Sequence, residues 1–249
     1  MEASMGTAPP AGPTTFLLVH GAFHGGWCWS EVRRLLEANG HRTYAPSQTG
    51  LADRKHLLSR DIDMNTFVLD VVNLMESEDL RDVILVGHSF GGRTITGVAD
   101  RVPERIAQLV FLDGGLPFGG LSRLDAMAPQ ARAARIASAE QFSGGLSIPP
   151  PPAENFGLSD PEHIAWVNRR LTPQPLSVEA SPLALKNDIG NGLPCTYAQF
   201  TEPVFPGVEP SAAYARSRAD WNFVGLPGGH DGIISDPRPV ATLLESLAA

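Results

Sequence analysis

Short apolar runs alternate with amphipathic stretches through the first half of the chain. The runs are four to six residues long and end at glycine, histidine or aspartate, which is typical of strands buried on both faces of a parallel sheet. The stretches between them carry apolar residues at intervals of three and four, which predicts helices. The predicted strands are 15–19, 41–45, 83–86 and 107–112, and the predicted helices are 30–39, 65–76 and 90–101.

The alternation is lost between residues 116 and 188. That block contains helical patterns at 129–140 and 161–171, separated by a run of four prolines. Strand patterns return at 195–200 and 221–226, followed by a closing helical pattern at 239–247. We therefore expect a cap inserted over the carboxyl ends of the strands.

Strand and helix in regular alternation imply right-handed crossovers and a mostly parallel sheet with helices on both faces. The predicted fold class is α/β. The predicted organisation is a flexible tail at 1–14, a core formed by 15–115 and 189–249, and the cap at 116–188.

Composition narrows the function classes. The 249 residues are 43% hydrophobic and 18% charged, which is enough apolar side chain for a large core. With 19 Lys and Arg against 27 Asp and Glu, the net charge is −8, so binding to nucleic acid or to an anionic membrane is not expected. Cys28 and Cys195 form no disulfide or zinc pattern, and the chain shows no signal-peptide pattern or membrane-length apolar run. A cytoplasmic location is the expectation.

The sharpest motif is Gly-His-Ser-Phe-Gly at 87–91, which matches G-x-S-x-G between a predicted strand and a predicted helix. A serine on a tight turn of this kind projects its hydroxyl away from the sheet, and the small residues on either side let the backbone approach itself. Ser89 is therefore the predicted nucleophile.

This motif, together with the segments 19–29 (VHGAFHGGWCW) and 229–231 (GHD), resembles the α/β-hydrolase family. Within that family the chain is similar to the small branch that contains plant methylesterases, hydroxynitrile lyases and bacterial esterases. The resemblance implies that the backbone N–H groups of Ala22 and Phe90 form an oxyanion hole. It implies acyl transfer through a serine, without a metal or an organic cofactor.

His230 comes last in the order serine, acid, histidine and lies in a loop after a predicted strand, so it is the predicted general base. Two carboxylates are candidates for the acid. Asp113 ends the strand after the nucleophile helix, and Glu202 follows the strand before the histidine strand. Asp113 is favoured because consecutive parallel strands are usually neighbours. Asp231 is next to His230 in the chain and is poorly placed to hold its ring.

The predicted function is hydrolysis of a small, fairly apolar ester or lactone by a serine esterase. The alternatives are a hydroxynitrile lyase and a non-catalytic small-molecule receptor. The lyases of this branch carry a hydroxylated residue and a lysine where this chain has Gly21 and Asp231. The oligomeric state is left open.

Aromatic and apolar side chains are candidates for the substrate pocket. Those in the cap also suit packing of the cap itself. The pocket candidates are Phe23 and His88 in the core and Leu124, Met127, Phe142, Phe156 and Trp166 in the cap.

Overall fold

The computed structural model describes residues 12–248, so most of the predicted tail, residues 1–11, lies outside the described residues. The strands are β1 Thr15–Val19, β2 Arg42–Tyr44, β3 Val83–His88, β4 Ile106–Leu112, β5 Ser147–Ile148, β6 Gln174–Pro175, β7 Cys195–Phe200 and β8 Trp221–Leu226. The helices are α1 Ser30–Ala38, α2 Met64–Ser77, α3 Gly91–Arg101, α4 Pro129–Ser143, α5 Pro161–Asn168, α6 Leu176–Ala180, α7 Glu209–Ser217, α8 Gly232–Ser235 and α9 Pro237–Ser246.

Six strands form one sheet in the order β2-β1-β3-β4-β7-β8, and every neighbouring pair is parallel. The predicted α/β class is confirmed. The order reverses between β1 and β3, which is where the loops after parallel strands diverge and leave a crevice at the carboxyl edge. The loops that carry the predicted chemistry follow β1, β3, β4 and β8, so all of them emerge at this edge.

Helices cover both faces of the sheet because adjacent strand residues point to opposite sides. Leu85 belongs to the core on the face covered by α2 and α3, with Phe67 and Ile95. Its neighbour Val86 belongs to the core on the other face, where Leu36 of α1 and Leu244 of α9 pack. β3 is buried along its whole length, which makes it a rigid base for the turn that follows.

The segment between β4 and β7 contains α4, α5, α6 and the small antiparallel pair of β5 and β6. It is attached to loops of the core by backbone hydrogen bonds. Thr172 donates its N–H to the carbonyl of Phe23 at 2.9 Å, and Asp231 donates its N–H to the carbonyl of Phe156 at 2.9 Å. The cap boundaries at 116 and 188 stay a prediction.

Helices α6, α7 and α8 have no counterpart among the sequence predictions, and α7 is the longest of the three. Helix α7 begins with a proline in its first turn and buries Ser211, Ala212 and Ala215. Small residues bury little area, so its apolar stripe is too weak to be recognised as a periodic pattern. The predicted helix at 161–171 also ends earlier, at Asn168.

Among the described residues, no helix has the length and apolar character needed to cross a membrane.

Candidate active site

Ser89 lies in a turn where the backbone leaves β3 and enters α3. Its φ is +52°, in the left-handed region that non-glycine residues rarely adopt. A Cβ on Gly87 would lie 2.7 Å from the carbonyl oxygen of Gly91, and a Cβ on Gly91 would lie 2.6 Å from that of Val19. The residues on both sides of Ser89 therefore have to be small because other backbone atoms lie where their side chains would be.

A chain of hydrogen bonds connects Ser89 to His230 and Asp113. Ser89 Oγ is 2.8 Å from His230 Nε2, and His230 Nδ1 is 2.9 Å from Asp113 Oδ2. Both ring neighbours fit one tautomer, in which Nδ1–H donates to the carboxylate and Nε2 accepts from the hydroxyl. The arrangement gives Ser89 a proton acceptor that is itself oriented by a buried carboxylate.

The position of Asp113 explains how it reaches His230. Asp113 follows β4 directly, with φ +44°, and its Oδ1 accepts a hydrogen bond of 3.0 Å from the N–H of Phe200 at the end of β7. Its own N–H donates to the carbonyl of Ala198. Glu202 is exposed, and its backbone N–H donates to Gly228. Of the two carboxylates that the sequence leaves open, Asp113 is the one hydrogen-bonded to the histidine.

Ala22 and Phe90 lie in the loops that follow β1 and β3. Neither backbone N–H donates to another described residue, and Phe90 immediately precedes α3, whose positive dipole end favours an anion. The loop after β1 is held at Phe23, whose N–H donates to Oε1 of Gln174 at 3.1 Å. Ala22, Ser89 and Phe90 line the same cavity.

A cavity of about 660 Å³ opens above Ser89 and His230. Phe23, His88 and Phe156 line it, as the sequence analysis expects. The four other pocket candidates, Leu124, Met127, Phe142 and Trp166, do not line it, and this corrects the expectation. Phe142 is 52% exposed, on the outer side of α4. Trp166 packs edge-on against Trp27 with ring centroids 5.1 Å apart.

Met127 is half-buried, and its neighbour Ala126 takes the place on the cavity wall. Leu124 is buried outside the cavity. The spacing of apolar residues in the cap did not reveal which side of each segment faces the core.

Several residues of the cavity wall were missed by the sequence analysis. Phe205 stacks on the ring of His230, with centroids 4.0 Å apart and planes at 19°. It follows β7, and this position at the carboxyl edge of a strand is the signal that was available. The charged wall residues Arg93, Arg123, Arg135 and Glu179 gave no such signal.

Two further buried histidines near the site are held neutral. Burial lowers the pKa of His20 to about 4. Burial, and then the nearby charge of His230, lowers the pKa of His88 to about 3. Nε2–H of His88 donates to the carbonyl of His230 at 2.8 Å, so His88 supports the backbone of the histidine loop.

A second histidine and carboxylate pair lies beside the first. His24 Nε2 is 3.1 Å from Asp231 Oδ2, and both side chains are almost completely buried. Burial alone would lower the pKa of His24, but the charge of Asp231 and the hydrogen bond to it raise that pKa above 6.5. Burial would raise the pKa of Asp231, and His24 instead brings it below 3.8. Each partner therefore favours the charged form of the other, and the pair holds the loop after β1 because Nδ1–H of His24 donates to the carbonyl of Ala22.

The described residues contain no group of three or more His, Cys, Asp or Glu side chains arranged to hold a metal ion.

Comparison with known proteins places this geometry in a family. Residues 16–243 match the family model described as "Alpha/beta hydrolase family". The chain is 38% identical over 247 residues to a carbendazim hydrolyzing esterase from Nocardioides sp., covering 93% of this chain and 98% of that protein. It is 37% identical over 113 residues to methylesterase 2 of Arabidopsis thaliana, covering 41% of this chain and 40% of that protein.

A solved structure with the same fold is an extracellular α/β-hydrolase from a Paenibacillus species, described as sharing structural and functional homology with tobacco salicylic acid binding protein 2. The TM-score is 0.78 at 26% identity, and the match covers 94% of this chain and 98% of that one.

The close approach at Gly91 predicts a stability effect. Gly91→Ala brings a Cβ against two backbone carbonyl oxygens, those of Val19 and His20 at 2.6 and 2.8 Å, and backbone cannot move aside as a side chain can. We expect a loss of about 3 kcal/mol in the free energy of unfolding, measured by urea denaturation. The control is Gly225→Ala in β8, where the nearest atom lies at 3.5 Å and the change should stay within about 1 kcal/mol. Equal stability of the two variants would contradict the steric argument.

The buried pair of His24 and Asp231 predicts a pH-dependent stability effect. The stability from His24, whose pKa is raised, is fully present below pH 6.5 and is lost as the pH rises through the raised value. The stability from Asp231, whose pKa is lowered, is present above pH 3.8 and is lost as the pH falls through the lowered value. Asp231→Asn should therefore cost most between these limits, about 3–5 kcal/mol.

The measurement is urea denaturation of wild type and variant across the pH range. Asp125→Asn removes a surface ion pair with Arg132 and should change stability by less than about 1 kcal/mol at every pH. A difference between wild type and Asp231→Asn that does not vary with pH would show that the pair is not charged.

Proposed function

Because the chain belongs to the α/β-hydrolase family, we propose that it is a serine esterase that hydrolyses a carboxylic ester through an acyl-enzyme. The observation that carries this proposal is the hydrogen-bonded chain from Ser89 Oγ through His230 to Asp113, at 2.8 and 2.9 Å. It lies at the floor of a cavity large enough for a small organic molecule.

Each residue has a defined part in the proposed reaction. Ser89 Oγ attacks the ester carbonyl while Nε2 of His230 takes its proton, and Asp113 stabilises the imidazolium that forms. The carbonyl oxygen becomes an oxyanion that accepts hydrogen bonds from the N–H groups of Ala22 and Phe90. His230 then returns the proton to the leaving alcohol, and water hydrolyses the acyl-enzyme by the same steps in reverse order.

The surroundings of the site support a substrate with an aromatic or otherwise apolar part. The cavity wall contains the rings of Phe23, Phe156 and Phe205. The proposal that the substrate is a small ester or lactone also draws on the 38% identical relative, which is a carbendazim hydrolyzing esterase, and on the methylesterases.

Two residues argue against the lyase alternative. Position 21 is glycine, and a Cβ there would lie 2.8 Å from the Cβ and 3.3 Å from the Oγ of Ser89, so a hydroxylated side chain like that of the lyases would crowd the side chain of Ser89. Position 231 is an aspartate paired with His24, where the lyases have a lysine. The ammonium group that would attract a cyanide anion is therefore absent at this position.

The nucleophile provides the first test. Ser89→Ala should fold normally and lower kcat for a p-nitrophenyl ester by a factor on the order of 10⁶, because it removes the atom that forms the acyl-enzyme. The control Ser217→Ala changes an exposed serine of α7 and should keep wild-type turnover. A fluorophosphonate probe should add to Ser89, as detected by mass spectrometry. Turnover of Ser89→Ala within tenfold of wild type would end the serine esterase proposal, and an absent adduct would favour a receptor.

The acid provides the second test. Asp113→Asn keeps an oxygen for the N–H of Phe200 and a residue type that tolerates positive φ, but it cannot stabilise the imidazolium. We expect kcat to fall by about 10⁴-fold with unchanged thermal stability. Glu202→Gln, at the exposed alternative position, should change kcat less than threefold. The assignment is reversed if the larger loss occurs in Glu202→Gln.

A further inference from the structure

Charge is distributed unevenly around the cavity. Its wall contains the guanidinium groups of Arg93, Arg123 and Arg135 and one carboxylate, that of Glu179. The excess of positive charge is local, since the whole chain has a net charge of −8. The cavity therefore attracts an anion in a protein that otherwise repels anions.

Two of the three arginines are occupied by partners within the protein. Arg93 donates to the carbonyl oxygens of Leu116 and Leu121, and so holds the start of the cap. Arg135 binds Glu179 in a bidentate ion pair, with Nε and Nη2 donating to the two carboxylate oxygens. This pair uses the one carboxylate of the wall.

Arg123 is different. Its guanidinium forms no hydrogen bond or ion pair with any described residue, although the side chain is half-buried in the cavity wall. Burial lowers its pKa, and Glu179 only partly opposes that effect because Arg135 repels Arg123 at the same time. A partly desolvated cation with five unused donors is stabilised by an anion that enters the cavity.

We propose that Arg123 binds a carboxylate of the substrate, so that the preferred substrates are esters which carry a second, ionised carboxyl group, such as monoesters of dicarboxylic acids. The planar fork of a guanidinium matches a carboxylate in bidentate geometry, which favours this anion over a neutral acceptor. Ser89 and Arg123 line the same cavity, and the ring of Phe23 lines it too, against Arg135 at 5.6 Å. An apolar linker between the ester and the free carboxylate fits this wall.

This inference specifies the substrate class of the proposed esterase and rests on that proposed function. Hydrolysis of a monomethyl ester consumes one water, breaks the bond between the acyl carbon and the methoxy oxygen, and releases methanol and a dicarboxylate. Arg123 takes no part in bond making; it fixes the distant end of the substrate.

The test compares two esters of equal length, monomethyl adipate and methyl hexanoate. Wild type should have a kcat/KM for monomethyl adipate at least tenfold above that for methyl hexanoate. In Arg123→Gln this selectivity ratio should fall about 10- to 100-fold, which is the effect expected for losing a charge-assisted hydrogen bond. Arg123→Lys keeps a point charge without the fork and should recover part of the ratio.

The matched control is Arg132→Gln. Arg132 lies on the cap helix α4, is half-exposed in an ion pair with Asp125, and does not line the cavity. Arg132→Gln changes the net charge by the same amount as Arg123→Gln, but its selectivity ratio should equal that of wild type. An equal fall in both variants would show that the effect is a general electrostatic one and would overturn the assignment to Arg123.

A binding measurement separates this inference from the proposed function. Monomethyl adipate should bind to Ser89→Ala by calorimetry, and adding Arg123→Gln should weaken that binding about 10- to 100-fold. If wild type hydrolyses neither these two esters nor the p-nitrophenyl ester, the esterase proposal fails while the binding result still decides the role of Arg123. If wild type hydrolyses both esters equally and Arg123→Gln leaves the ratio unchanged, the esterase stands and the carboxylate site is wrong. Inhibition of wild type by adipate, compared with 1,6-hexanediol, gives the same decision should Arg123→Gln not fold.

Discussion

Close backbone approach around Ser89 is the constraint on which the rest of the site depends. The turn after β1 and the turn that leads from β3 into α3 meet so tightly that a Cβ at Gly21, Gly87 or Gly91 would lie 2.8 Å or less from another atom. The strained φ of Ser89 is stable only because fully buried β3 fixes the turn on one side and α3 fixes it on the other. The N–H groups of Ala22 and Phe90 and the hydroxyl of Ser89 are thus positioned by the same contacts.

Electrostatics divides the buried histidines into two groups. His20 and His88 are kept neutral by burial and act as hydrogen-bonding supports of the backbone. His24 and His230 each face a buried carboxylate. The pair of His24 and Asp231 braces the loop after β1, whereas His230 keeps Nε2 for Ser89. Each of these two histidines therefore has its own aspartate as a partner, and neither buried carboxylate is shared between them.

Core and cap contribute different properties to the cavity. The core supplies Ser89, His230, Asp113 and the N–H groups of Ala22 and Phe90, all in loops that follow strands. The cap holds the loop after β1 through Gln174 and Thr172, and the loop of His230 through Phe156. It also supplies most of the charged wall. A change of the cap can therefore alter which ester is bound without moving the groups that act on it.

The sequence by itself determined the α/β class, the six strands of the main sheet and most of the large helices, and it singled out Ser89 and His230 as candidate site residues, because these follow from local patterns and short motifs. It left Asp113 and Glu202 open, since both follow strands between Ser89 and His230 in the chain. Only the order of strands in the sheet, with β4 adjacent to β7, brought Asp113 to the ring of His230. The side chains of the cap that line the cavity could not be predicted either, because they also depend on contacts between distant segments. Phe142 and Trp166 are apolar residues in the cap. Which side chains of the cap face the cavity is decided by packing between segments that are far apart in the chain. That packing set Arg123 and Phe205 in the wall and left Phe142 in solvent.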